Sequence, residues 1–314
     1  MESVGIVGAG LIGRAWAMVF ARSGHTVKLW DGEAKQRETA LPIIGDRLRD
    51  LEAAGLIKDP PSILKRITVV ATLAEAVQGV TYVQECLPEV LELKRRMFAE
   101  MDALAAPETI LASSTSTMQP SSFSEHVKGR QRCLVAHPVN PPYLIPVVEL
   151  SGAPWTSAET LARTRALMEA SGQKPVTIRH EVNGFIINRL QGALLAEAFR
   201  LVEDGFITPE DLDTCIAHGL GLRWSFMGPF ETIDLNAPEG LADYCRRFGA
   251  PYHEIVKEQA RNVRPWSEAL VAQLDAHRRQ ALPADRLAER STWRDRRLMA
   301  LAAHKRAVDA KEGT

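Results

Sequence analysis

The sequence predicts an α/β fold: a doubly wound, mostly parallel sheet followed by an all-α second domain. Three observations predict it. Short apolar, β-rich runs alternate with amphipathic stretches over the first 180 or so residues. A glycine-rich junction joins the first strand to the first helix. Beyond about residue 183 the strand pattern stops and helical periodicity continues to the end.

The elements follow in order. Val4 to Val7 is a short apolar run that ends in glycine and reads as a buried strand. Leu11, Ala15, Met18, Val19 and Ala21 give the next stretch an apolar helical face, which Gly24 ends. "TVKLWD" is the second strand. The junction reads Gly8-Ala9-Gly10-Leu11-Ile12-Gly13, the G-x-G-x-x-G pattern. Gly8 permits a tight turn, Gly10 lets backbone approach a pyrophosphate, and Gly13 lets helix and strand pack closely. The unpaired N–H groups of the helix N-terminus then face the phosphates. Asp31 ends the second strand, 18 positions after Gly13, where its carboxylate can accept hydrogen bonds from an adenosine ribose. That carboxylate would repel a 2′-phosphate, so NAD is expected rather than NADP. These placements make the sheet Rossmann-type.

Residues 35–66 read as two helices in a hairpin, broken at "KDPPS". Strands are expected at 67–71, 80–86, 108–114, 132–137, 147–150 and 174–179, with helices at 91–105 and 157–172. Residues 1–182 therefore form the NAD-binding domain. Residues 183–314 form the helical domain, opened by a long helix over 184–205. "TPEDLDTCIAHGLG" is a capped helix, with Thr208 at the N-cap and Asp211 three residues on.

Composition excludes other classes. Charged residues are 25% of the chain and the net charge is −1, so no electrostatic footprint points to nucleic acid or an anionic membrane surface. No apolar run is long enough for a membrane span or a signal peptide. Cys86, Cys133, Cys215 and Cys245 are scattered, with no CxxC pair and no histidine cluster. That argues against a metal site and against a disulfide framework, and fits a reducing cytoplasm.

Four residues then carry the chemistry. Ser116, in "ASSTSTM", follows a strand and should lie at the carboxyl edge of the sheet, where such folds bind ligands. His137 ends the next strand at the same edge. Glu149 lies on the following short strand, beyond a loop with four prolines. Asn188 lies in the first turns of the long helix. A histidine can take a hydroxyl proton near neutral pH while hydride leaves for NAD. A carboxylate on its other nitrogen fixes the tautomer and stabilises the imidazolium. Ser116 and Asn188 can hold the reacting oxygen. Singly, each has a bland alternative as a cap, turn or domain-linking residue. Their joint placement on a dinucleotide-binding fold favours function.

"GAGLIG", "ECLPE", "ASSTSTM", "HPVNPP" followed by "VVEL", and "NGFIINRL" together resemble the L-3-hydroxyacyl-CoA dehydrogenase family over nearly the whole chain. The resemblance implies catalytic roles for Ser116, His137, Glu149 and Asn188. It implies nicotinamide-side contacts at Glu89 and Lys94, a site role for Asn140, and a homodimer joined mainly through the helical domain. "IVGAGLIGRAWAMVFA", "AHPVNPPYLIPVVEL" and "GLGLRWSFMGPFETIDLNAPEG" resemble its lambda-crystallin and L-gulonate 3-dehydrogenase branch. Related 3-hydroxyisobutyrate-type enzymes use a lysine in the long helix, and residues 183–202 contain none.

Arg223, in "GLGLRWSF", departs from the proline-containing stretch of most acyl-CoA enzymes. It is either a surface arginine or a fork for a substrate carboxylate. The expectation is NAD-dependent oxidation of a small L-3-hydroxycarboxylate, with Ser116, Asn140, Asn188 and Arg223 as substrate contacts. The alternatives are a 3-hydroxyacyl-CoA dehydrogenase and a non-catalytic, NADH-binding structural protein.

Overall fold

A computed structural model of the chain describes residues 1–312. Its eight strands are β1 (Ser3–Val7), β2 (Thr26–Trp30), β3 (Ile67–Val69), β4 (Tyr82–Glu85), β5 (Ile110–Ser113), β6 (Cys133–Pro138), β7 (Val147–Gly152) and β8 (Lys174–Ile178). They form one sheet in the order β3-β2-β1-β4-β5-β6-β7-β8. All neighbouring pairs are parallel except β6 and β7. Strand order reverses between β1 and β4, the switch point at which open α/β sheets bind ligands. The strands are nearly continuous apolar runs because helices cover both faces.

Helices α1 (Leu11–Arg22), α2 (Ala34–Ala53), α3 (Pro60–Leu64), α4 (Leu73–Val77), α5 (Leu91–Leu104), α6 (Pro120–Ser124) and α7 (Ala158–Ala170) connect them. One face of the sheet buries Trp16, Val19 and Phe20 of α1 with Ile44 and Leu48 of α2. The other buries Met97, Phe98 and Met101 of α5 with Phe123. Each helix begins for a local reason where a cap is present. Thr72 and Glu75 form a reciprocal capping box for α4, and Ser157 caps α7. The hairpin expected over 35–66 has a full-length first arm, α2, but a second arm of only five residues, α3, which starts at Pro60 and ends just before β3 begins at Ile67.

The remainder is helical: α8 (Ile187–Glu203), α9 (Pro209–Cys215), α10 (Gly221–Trp224), α11 (Pro229–Asp234), α12 (Leu241–Arg261), α13 (Glu268–Ala281) and α14 (Leu287–Glu312). Thr208 Oγ1 accepts from the Asp211 N–H at 3.2 Å and starts α9.

The chain divides into two compact units. One is Met1–Arg189 together with the stretch from Ala288 on. The other is Leu190–Leu287. The sequence reading put the last helix with the helical domain. In the structure α14 packs with the first unit: Met299 lies in the same core as Trp16 and Ile44, and Arg306 donates to the Leu56 carbonyl at 2.8 Å. An amphipathic helix does not declare which of two apolar surfaces it will cover.

Candidate functional site

The site begins at the turn between β1 and α1. Gly8 has φ 109°, a conformation that disfavours any side chain. A Cβ on Gly13 would sit 1.7 Å from the Gly8 carbonyl oxygen, so only glycine lets α1 start so close to the strand. A Cβ on Gly10 would meet nothing within 4 Å, so its backbone is open to a ligand. Asp31 Oδ2 accepts from Ala9 N at 2.6 Å, and Oδ1 accepts from Glu33 N at 2.9 Å. Two carboxylate oxygens offer about four lone-pair sites, so acceptor capacity remains for ribose hydroxyls. A cavity of about 710 Å3 runs from Gly10, Leu11 and Ile12 past Asp31 to Glu89 and Ser116. Its size and open backbone suit a dinucleotide.

The floor beside that cavity is polar. Lys94, 1% exposed, pairs with both oxygens of Glu85 at 3.0 Å, and Glu85 is 0% exposed. Ser113 Oγ and Leu87 N also donate to Glu85, at 2.5 and 2.6 Å. Burial pushes the Glu85 pKa up, against the pull of Lys94. Glu89 lies 4.0 Å from Lys94 and accepts from Ser116 N and, at 2.7 Å, from Thr115 Oγ1. Glu89 therefore ties the loop after β4 to the loop after β5. Glu85, Ser113 and Thr115 were not singled out from sequence. The available signal was Gln84-Glu85, two polar residues inside an otherwise apolar strand.

His137 and Glu149 are directly opposed in the antiparallel β6–β7 ladder. Opposed side chains on one face start about 4.5–5.5 Å apart at Cβ. Here His137 Nδ1 and Glu149 Oε2 are 2.8 Å apart. The imidazole is 5% exposed and the carboxylate 0%. Glu149 Oε1 accepts from Ile186 N at 2.8 Å and Ile187 N at 3.0 Å. Burial raises the Glu149 pKa, but the hydrogen bonds from His137, Ile187 and Ile186 outweigh it, and the net shift is downward.

The segment that supplies those amides is bent to do so. Gly184 and Phe185 both have positive φ, 74° and 51°. A buried phenylalanine in that region costs about 1–2 kcal/mol. Its ring packs 5.3 Å from the His137 ring. One turn further, Asn188 Nδ2 donates to the Ser116 carbonyl at 2.7 Å. Ser116, Asn188, Glu149 and His137 are thus joined through one chain of contacts. Asn140 lies two residues beyond β6. Its Oδ1 is buried without a protein donor among the described residues. Arg223 is exposed on the short helix α10 of the second unit.

A dinucleotide turn and a buried imidazole–carboxylate pair on one sheet define the class: an NAD-dependent dehydrogenase. Residues 3–182 match the 3-hydroxyacyl-CoA dehydrogenase NAD binding domain, and residues 184–280 match the C-terminal domain of the same family. The chain belongs to the 3-hydroxyacyl-CoA dehydrogenase family. It is 44% identical over 308 residues to lambda-crystallin of Oryctolagus cuniculus, covering 96% of each chain. It is 34% identical to L-carnitine dehydrogenase of Pseudomonas aeruginosa, covering 100% of this chain and 97% of that one. Among solved structures it resembles 5-formyl-3-hydroxy-2-methylpyridine 4-carboxylic acid 5-dehydrogenase, an NAD+ dependent dismutase. The TM-score is 0.79 and the identity 26%, over 98% of this chain and 99% of the other.

Proposed function

We propose that the protein oxidises the 3-hydroxyl of a small, free L-3-hydroxy acid of the L-gulonate type to the 3-keto acid. The observation that carries the reading is the buried His137–Glu149 pair at 2.8 Å. Bound NAD supplies the hydride acceptor. His137 Nδ1 faces Glu149, so Nε2 is the nitrogen left to take the hydroxyl proton. Glu149 stabilises the imidazolium that results. The Ile186 and Ile187 amides keep Glu149 aimed, so proton transfer needs no reorganisation of the carboxylate. The Ser116 hydroxyl and Asn188 orient the reacting oxygen, and Asn140 offers a further polar contact. Glu89 borders the nicotinamide side, and Lys94, buried against Glu85 behind it, acts there through its charge.

A free acid is favoured over a CoA thioester for two reasons. Lambda-crystallin and L-carnitine dehydrogenase are the relatives above, and L-carnitine is itself a free 3-hydroxy carboxylate. Arg223 offers a planar fork of donors that suits a carboxylate and that a neutral thioester does not need.

The second unit supports a homodimer. Leu241, Phe248, Tyr252, Ile255 and Val256 are exposed along α12, an apolar stripe at helical spacing. The reading places the protein in the cytoplasm, where scattered thiols such as Cys86, Cys133, Cys215 and Cys245 stay reduced.

The test is a screen of L-gulonate, L-carnitine and 3-hydroxybutyryl-CoA with NAD+ and NADP+, following absorbance of the reduced cofactor. The reading expects the highest kcat/KM with the polyhydroxy acid and NAD+. Preference for the CoA ester would overturn it, and so would no turnover of any of the three.

A further inference from the structure

The C-terminal end of α1, away from the dinucleotide turn, borders a cavity of about 510 Å3. Arg22, Lys58, Arg66 and Arg306 line it, and Asp59 is its one acidic residue. The four cations come from α1, the loop before α3, the loop before β3, and α14, so the fold gathers them from distant parts of the chain.

Each guanidinium is anchored by one backbone carbonyl. Arg22 donates to Tyr143 O at 2.8 Å, Arg66 to Ala21 O at 3.3 Å, and Arg306 to Leu56 O at 2.8 Å. A guanidinium has five N–H donors, so most remain available. Among the described residues, none of these three arginines forms an ion pair within 4 Å, and Asp59 is turned to its own helix, accepting from Ser62 N at 3.2 Å. Burial drives the Arg22 pKa down to about 10, and the like charge of Arg306 pushes the same way. Basic side chains therefore outnumber acidic ones four to one here, offset only by Asp59 and by the carbonyl end of α1.

We propose that this cavity is a second anion site, one that takes the phosphate group of a small molecule. Arginine forks match the oxygens of a phosphate and can bind it bidentately. The volume lies in the range of small-molecule sites. A net charge of −1 for the chain argues against an extended polyanion such as nucleic acid. The twelve residues of α1, about 18 Å of helix, separate the cavity from the dinucleotide turn. The group can belong to free phosphate or to a phosphomonoester.

The test is calorimetric titration of NADH-saturated protein at constant ionic strength, with inorganic phosphate and with glycerol 3-phosphate. NADH fills the dinucleotide turn, so remaining heat belongs elsewhere. The proposal expects saturable binding of one phosphate group per chain. Arg306→Met and Arg66→Met should each weaken it by about tenfold, the loss of one charged hydrogen bond. NADH affinity should be unchanged. Tighter binding of the ester would identify a phosphorylated metabolite; equal binding would identify the free anion. Should the arginine variants fail to fold, the exposed Lys58→Met variant carries the test, again with weaker binding expected. Absence of saturable binding, or affinities unchanged in the variants that fold, would overturn the proposal.

Discussion

At the scale of single residues, the site rests on His137. His137→Ala should lower turnover by about 10²–10⁴-fold, the usual loss for a positioned general base, with NADH affinity retained. Steady-state rates and a fluorescence titration check both halves. Glu149→Gln keeps the imidazole and should cost less, while shifting the pH–rate profile. It also has a stability signature. The folded Glu149 pKa lies below its ordinary value of about 4.3, so its contribution is complete above that pH. The contribution is lost as pH falls through the lower folded value. The denaturation gap between native protein and Glu149→Gln should therefore be constant above about pH 5 and narrow below about pH 4.

Arg223 tests the substrate assignment. Arg223→Met should reduce kcat/KM for a free hydroxy acid by about 10–150-fold. Arg223→Lys should raise KM because a lysine cannot reproduce the fork. Unchanged free-acid kinetics in Arg223→Met would remove the carboxylate role.

Residue chemistry was only partly legible in the sequence. His137 and Glu149 could be singled out because each lies beside a proline-rich loop. Their pairing was expected too; the cross-strand register that achieves it was not, because it depends on β7 running antiparallel in an otherwise parallel row. The Glu85–Lys94 pair was hidden as well. Nine positions separate the two, and no local spacing rule links a strand residue to the helix after it.

At the scale of elements, the same pair makes a prediction. Lys94 holds together the end of β4, the start of α5 and, through Glu85 and Leu87, the loop between them. Lys94→Met would leave the buried Glu85 without its counter-charge, held only by Ser113 and the Leu87 amide. Breaking a buried pair in this way costs about 3–5 kcal/mol, measurable by urea unfolding. A loss under 1 kcal/mol would remove the pair from the account of what holds this junction.

Most elements could be placed from periodicity and capping alone, since helix and strand repeats differ and the caps are local. Strand ends shifted by a residue or two. The expected strand over 67–71, for example, pairs only through Val69. Ladder partners decide where a strand stops, and those partners lie far away in sequence. The bend at Gly184 and Phe185 also escaped notice, because phenylalanine carries no signal for a left-handed backbone.

At the scale of the whole molecule, the exposed stripe on α12 predicts association. Light scattering at micromolar concentration should give twice the 34.6 kDa chain mass. Phe248→Glu, which puts a charge on the stripe, should shift the mass toward one chain. A single-chain mass for the unmodified protein would remove the dimer from the reading.

The return of α14 to the first unit has a consequence for how the molecule is made. Ala288 is synthesised only after the 98 residues Leu190–Leu287. At about 5–20 residues per second, that interval lasts roughly 5–20 s. Throughout it, the nascent sheet must wait with the patch later sealed by Met299 still wet. During those seconds the NAD-binding half lacks one of its covering helices, which arrives only after the insert has passed.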